Sequence, residues 1–243
     1  MFIFVANYYK NMNPRITIAI DGFSSTGKST VAKQLAKELE YVYVDTGAMY
    51  RAVALYAMRK SYINGSSFDV QALIKDLPSI ELKFVFDEKL GFAAIYLNGE
   101  NVEEEIRSME VSGYVSKVAE VSEVRAKLVA EQQQMGKEKG VVMDGRDIGT
   151  VVFPDAELKI FMTASPEERA TRRYKEMKSK GQEVSYEEVL KNVEDRDHLD
   201  TTREDSPLVL ADDAIEIDNS YLNLEEQFKI VKELADEVIE SQG

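Results

Sequence analysis

The sequence predicts an α/β fold, a five-stranded parallel sheet with helices on both faces, interrupted by a small inserted antiparallel sheet and followed by a helical arm. Three observations predict it. Five short runs rich in β-branched and aromatic residues recur between helical patterns, at 16–21, 41–45, 141–144, 158–164 and 214–218. Each is close to continuously apolar, as strands covered on both faces are. The helices between them have legible ends, and the stretch from about 64 to 125 switches to hairpin chemistry.

Taken in order, the run at 16–21 leads into Gly22-Phe23-Ser24-Ser25-Thr26-Gly27-Lys28-Ser29-Thr30 and a helical pattern at 31–40. The second run ends in Asp45-Thr46-Gly47-Ala48-Met49-Tyr50-Arg51. Within the insertion, 81–86 and 94–97 flank a turn around Gly91, and Asn98-Gly99 supplies a second turn, so the pairing is antiparallel. The third run closes on Asp144-Gly145-Arg146-Asp147. After the fourth, Ser165-Pro166-Glu167-Glu168 provides an N-cap, a proline at the first helical position and a glutamate three residues on, and Gly181 ends that helix. Ser185 to Glu188 repeats the capping box for a helix running to about Thr202. Residues 1–12 read as a disordered or alternative-start extension, because Met12 stands just before the first run, and 13–243 read as one domain.

Composition removes many chemistries. Among 243 residues there is no cysteine, which excludes disulfides, thiolate metal sites and cysteine nucleophiles. The single histidine, His198, excludes HExxH zinc chemistry and reads as a helix-surface residue. A formal charge of −14 opposes general nucleic-acid binding. Much of that excess lies after residue 203, where the acidic tail reads as a solvated face. No apolar run reaches the ~18 residues of a membrane span, and the apolar start is too short for a signal core, so a cytoplasmic location is expected. With no heptad or long apolar face, a monomer is expected.

Gly22 to Thr30 is a full G-x4-G-K-S-T between a strand and a helix. Its glycines let successive backbone N–H groups curl around a phosphate chain, Lys28 reaches the outer phosphates, and the Ser29 hydroxyl suits Mg²⁺. A mere Gly/Ser-rich turn would need neither the lysine nor the strand-helix context. Other strands also end in polar residues, and ligands of parallel sheets bind beyond the carboxyl ends. Arg51, Arg146, Arg196 and Arg203 fall near that edge, and Arg196, Asp200 and Arg203 share a helix face at i, i+4 and i+7. The helix after Ser165 adds Arg169, Arg172, Arg173, Lys175, Lys178 and Lys180, either a plain basic face or a lid whose arginines close over a triphosphate. No Asn-Lys-x-Asp guanine reader accompanies the loop, which argues against a GTP switch.

The phosphate loop, Asp45 to Arg51, Glu105-Ile106-Arg107 and the long run from Asp144 to Ala156 (DGRDIGTVVFPDA) together resemble bacterial cytidylate kinases. So do Glu167-Glu168-Arg169-Ala170, Arg172-Arg173, Arg196-Asp197, Arg203 and Ser206-Pro207-Leu208. The resemblance implies a P-loop kinase core, a nucleoside-monophosphate-binding insertion at about 64–125 and a lid at about 165–185. It implies transfer of the ATP γ-phosphoryl group to CMP or dCMP in pyrimidine nucleotide metabolism, with Mg²⁺. By the same resemblance, Asp45 and Thr46 touch the nucleoside, and Arg51, Arg146 and Arg196 hold the CMP phosphate. Ser116 and Arg125 read the cytosine edge, and Asp147 joins the CMP contacts. Asp200 fixes the ribose, Arg203 is a further site arginine, and Arg172 and Arg173 come from the lid. Asp144 stands near Mg²⁺ through water. Phe23 and Ser25 depart from the proline and glycine common in that family, so either Ser25 takes a glycine-like backbone or the loop differs slightly.

Overall fold

A computed structural model describes residues 14–243; the extension expected at 1–12 lies outside the described residues. In chain order, β1 (Thr17–Gly22), α1 (Lys28–Leu39), β2 (Val42–Asp45) and α2 (Thr46–Arg59) come first. Two short strands, β3 (Ile63–Asn64) and β4 (Ser67–Phe68), precede α3 (Val70–Asp76). Then follow β5 (Leu82–Asp87), β6 (Phe92–Leu97), β7 (Glu100–Asn101), α4 (Met109–Ala119) and α5 (Ser122–Met135). The chain returns through β8 (Val141–Asp144) and β9 (Leu158–Thr163) to α6 (Pro166–Ser179), α7 (Tyr186–Thr202), β10 (Ile215–Asp218) and α8 (Leu224–Ser241).

The main sheet has the order β10-β9-β1-β8-β2 with every pair parallel. Central β1 is buried throughout. Ile18 and Ile20 pack with Val31, Leu35, Val231 and Ala235 of α1 and α8 on one face. Ala19 points the other way, with Val44, Met143, Ile148 and Val152, as the two-residue period of a strand requires. In register, Ile20 and Asp45 both pair with Asp144, so β2 and β8 end level at Asp45 and Asp144 while β1 runs two residues further to Gly22, and the three ends share one edge.

The hairpin expected in the insertion is present: Leu82 pairs with Leu97 and Asp87 with Phe92, and Asn98 and Gly99 take left-handed backbones at the turn before β7. The segment is also more helical than its sequence suggests, because α3 and α4 lie within it. Together with α2 and α5, the hairpin encloses a second core around Met49, Val53, Leu73, Ile95, Ile106, Val118 and Leu128. Helices α6 and α7 meet over Ala170, Met177, Val189 and Val193. Both capping sites read from the sequence are made: Ser165 Oγ accepts from the Glu168 N–H, and Ser185 and Glu188 form a reciprocal box.

Candidate functional site

These strand ends open on a cleft of about 1040 Å³, at the top of the usual roughly 300–1,000 Å³ of a small-ligand pocket. Ser24 to Thr30 form one wall. Ser25 has φ +60° and Gly27 +92°, so the serine does adopt the backbone that glycine takes more easily, at about 1 kcal/mol for an L-residue. Gly22 and Phe23 do not line the cleft. At Gly22 a Cβ would stand 1.9 Å from the Met162 carbonyl oxygen, so glycine is there to let β1 approach β9. The Phe23 ring packs edge-on against Phe161 and beneath the Arg169 guanidinium, which gives the bulky residue a place behind the loop.

Lys28 is buried and its Nζ donates to the carbonyls of Gly22 (2.8 Å) and Phe23 (2.5 Å). Burial, with Arg146 nearby, pulls its ammonium well below the ordinary lysine range. Ser29 Oγ donates to Asp144 Oδ2 at 2.8 Å, and Tyr43 OH donates to Oδ1 at 2.7 Å. Burial and the neighbouring Asp45 push the Asp144 carboxyl up. Thr46 Oγ1 donates to the Asp144 carbonyl at 2.7 Å, locking β2 to β8 at the cleft floor. Beneath the floor, Asp21 accepts from the N–H groups of Ile148 (2.8 Å) and Gly149 (2.7 Å), where the chain makes a wide helical turn after Asp147. Burial raises Asp21 to about 6.

Asp45 has the opposite shift to Asp144. Burial opposes its charge, but Arg51, Arg107 and the Ala48 N–H outweigh burial and hold it at about 2. A carboxyl depressed on folding stabilises the fold above its unfolded value of about 3.8 and loses that contribution as pH falls through about 2. The contribution is about 2 kcal/mol. The stability difference between the wild type and Asp45→Asn is therefore expected to shrink as urea unfolding is repeated from pH 5 down towards pH 2. A constant difference would show that Asp45 acts through shape and not through charge.

The arginines converge as expected, with distinct partners. Arg51 pairs with Asp45 at 3.0 Å, and Arg146 Nε with Asp200 Oδ2 at 2.8 Å. Asp200 also accepts from Ser116 Oγ at 3.0 Å, so its partners are Arg146 and Ser116 rather than Arg196 one turn away. Arg125 and Asp147 form a buried ion pair at the far end, beside Tyr50, whose buried hydroxyl has no partner. Arg203 caps α7 and donates to the Ser206 carbonyl from both Nε and Nη2. Arg172 is held by Asn219 Oδ1 (2.9 Å) and the Asn219 carbonyl (2.7 Å). Arg173 and Arg196 line the cleft without an ion pair among the described residues.

Other expectations sort cleanly. Of the α6 cations, Arg172, Arg173 and Lys180 line the cleft, whereas Arg169 is buried behind it, bound to Asp197 and to the carbonyls of Ala164 and Ser24. His198 is exposed on α7 and does not line the cleft. Sequence reasoning gave no role to Tyr43, Lys33, Phe92, Arg107 or Leu222, all of which border the cleft or its carboxylates. Only Arg107 had a local signal, the Glu-Ile-Arg run; the others depend on long-range contacts. No helix among the described residues is long and apolar enough to cross a membrane.

A phosphate loop between β1 and α1, at the carboxyl edge of a parallel sheet and ringed by arginines, places the chain among the P-loop kinases. Within that class it belongs to the cytidylate kinase family, whose model matches residues 18–238. A cytidylate kinase of Flavobacterium johnsoniae is 71% identical over 225 residues, covering 93% of this chain and 98% of that protein. One from Flavobacterium psychrophilum is 67% identical, covering 92% and 99%, and one from Bacteroides fragilis is 58% identical, covering 88% and 93%.

Proposed function

We propose that this protein, a cytoplasmic monomer, transfers the γ-phosphoryl group of ATP to CMP and to dCMP, giving ADP and the nucleoside diphosphate. The observation that carries this reading is the pair Arg173 and Arg196. Two guanidiniums without carboxylate partners among the described residues face the same cleft as the phosphate loop. Half-buried cations without counter-charges are costly, and anionic ligands supply what they lack.

In the reaction, an oxygen of the CMP phosphate attacks the γ-phosphorus. The bond to the bridging oxygen breaks, and its electrons leave on ADP. The nucleophile is already anionic, which is why the site has no need of a base. The N–H groups from Ser24 to Thr30 cradle the triphosphate, and Lys28 meets its outer oxygens. Ser29 and, through water, Asp144 would hold Mg²⁺, since both offer the oxygen donors a hard cation takes and they lie side by side in the cleft. The chemistry such an ion would supply there is charge neutralisation on the triphosphate. Arg51, Arg146 and Arg196 grip the acceptor phosphate, while Arg172 and Arg173 face the transferred group. Asp45 and Thr46 border the nucleoside, Asp200 and Arg203 the ribose, and Ser116, Arg125 and Asp147 the base. The insertion at about 64–125 and the lid at about 165–185 close over the nucleotides and exclude water, which protects ATP from hydrolysis.

The direct test is ADP formation from ATP and Mg²⁺ with CMP, dCMP, UMP, AMP, GMP or no acceptor. Fast turnover confined to CMP and dCMP is expected. Preference for another acceptor would keep the chemistry and discard the base-reading residues, and slow acceptor-independent hydrolysis would discard the kinase reading.

A further inference from the structure

Arg173 and Arg196 come from different helices, α6 and α7, and face one cleft with like charges. The Nε of each is buried without a partner. Burial, with Arg146 and Arg173 nearby, brings Arg196 down to about 9. Burial and Arg51 likewise push Arg173 down against the opposing pull of Glu176. Repulsion between these groups drives them apart, so their alignment needs a fixed point.

Ser112 is that point. It lies on α4, a third element, and is 2% exposed. Its Oγ accepts from Arg173 Nη2 at 2.8 Å and from Arg196 Nη1 at 3.2 Å. The hydroxyl proton is directed to Asn192 Oδ1 of α7 at 3.3 Å. A serine hydroxyl has one donor and two acceptor positions, so all three are used, and both acceptor positions go to the arginines. A carboxylate here would neutralise the guanidiniums, whereas a hydroxyl orients them and leaves their charge for phosphate. Neither composition nor any local motif marked this residue.

We propose that Ser112 is a positioning residue for phosphoryl transfer, the neutral hub that aligns Arg173 and Arg196 on the phosphates and ties α4 to α6 and α7. The inference rests on the kinase reading above. Its phosphate-specific consequence separates it from a merely structural role, because cytidine has the base and sugar of CMP but no phosphate.

The test compares Ser112→Ala and Ser112→Thr with the wild type for CMP turnover, CMP affinity by calorimetry, and competitive inhibition by cytidine. For Ser112→Ala, kcat/KM for CMP is expected to fall about 10- to 100-fold, as for loss of an aligned charged hydrogen bond. CMP affinity should fall with it while cytidine inhibition stays within about twofold. Ser112→Thr, which keeps the hydroxyl, is expected to retain most of the activity. Wild-type kinetics in Ser112→Ala, equal losses in the two variants, or CMP and cytidine affinities weakened in the same proportion would each overturn the inference while leaving the kinase reading in place. Failure of the wild type itself to phosphorylate CMP would overturn both.

Discussion

Lys28→Ala is expected to lower turnover by about a thousandfold while the protein still folds, which is the scale of losing one preorganised charge contact in a transition state. Lys28 Nζ lies within the loop, donating to the carbonyls of Gly22 and Phe23, so it is pinned at the base of the phosphate cradle by the backbone it serves. A phosphate chain seated there offers it charged acceptors in place of neutral ones, and charge-assisted bonds are about twice as strong. The fold should survive because the core of β1 is built from Ile18 and Ile20, not from the lysine. Coupled ADP release on the variant, with a thermal melt as control, tests both halves. Near-normal turnover in a folded variant would remove the loop from the mechanism.

Arg146→Ala is expected to weaken CMP by about 10- to 100-fold and ATP by much less, given roughly 1.5–3 kcal/mol for each hydrogen bond to a charged group. Arg146 lines the cleft with Nε committed to Asp200 and Nη1 donating to the Gly145 carbonyl at 3.2 Å, which leaves Nη2 without a protein partner among the described residues. Its removal also leaves the buried Asp200 carboxylate with Ser116 as its remaining side-chain partner. A carboxylate losing its counter-charge in such a place destabilises the fold. Part of the variant's defect should therefore appear as a lowered Tm. Titration calorimetry with each nucleotide separates the effects. Equal losses for CMP and ATP would count against Arg146 as an acceptor-phosphate ligand.

Some elements were legible because their signals are local. The five parallel strands lie within about a residue of the runs read from the chain, since a strand buried on both faces must be apolar throughout. The N-cap at Ser165 and the capping box at Ser185 are made by residues three apart, so spacing alone revealed them. The loop at Ser24 to Thr30 was equally plain, and of the two courses open to Ser25 the structure takes the left-handed backbone. Helix α2 was harder to read. From Ala48 to Ala57 it is buried on nearly every side, and such a helix has no polar face to mark its period. The helical parts of the insertion were obscured beside the stronger hairpin signal.

The residues near the chemistry divide in the same way. Lys28, Ser29, Arg146 and Arg196 could be placed at one cleft from motif and family resemblance, because backbone geometry brings the loop and strand ends together wherever a parallel sheet forms. The chain alone did not distinguish Arg169, which braces the loop from behind, from Arg172 and Arg173, which line the cleft. Nor did it pair Arg146 with Asp200, set Tyr43 on Asp144, or join two arginines at Ser112. Those outcomes depend on contacts between groups 54 to 145 positions apart in the chain. Periodicity and spacing describe what a residue does to its near neighbours; the direction in which a guanidinium points is decided by the distant acceptor that packing brings within reach.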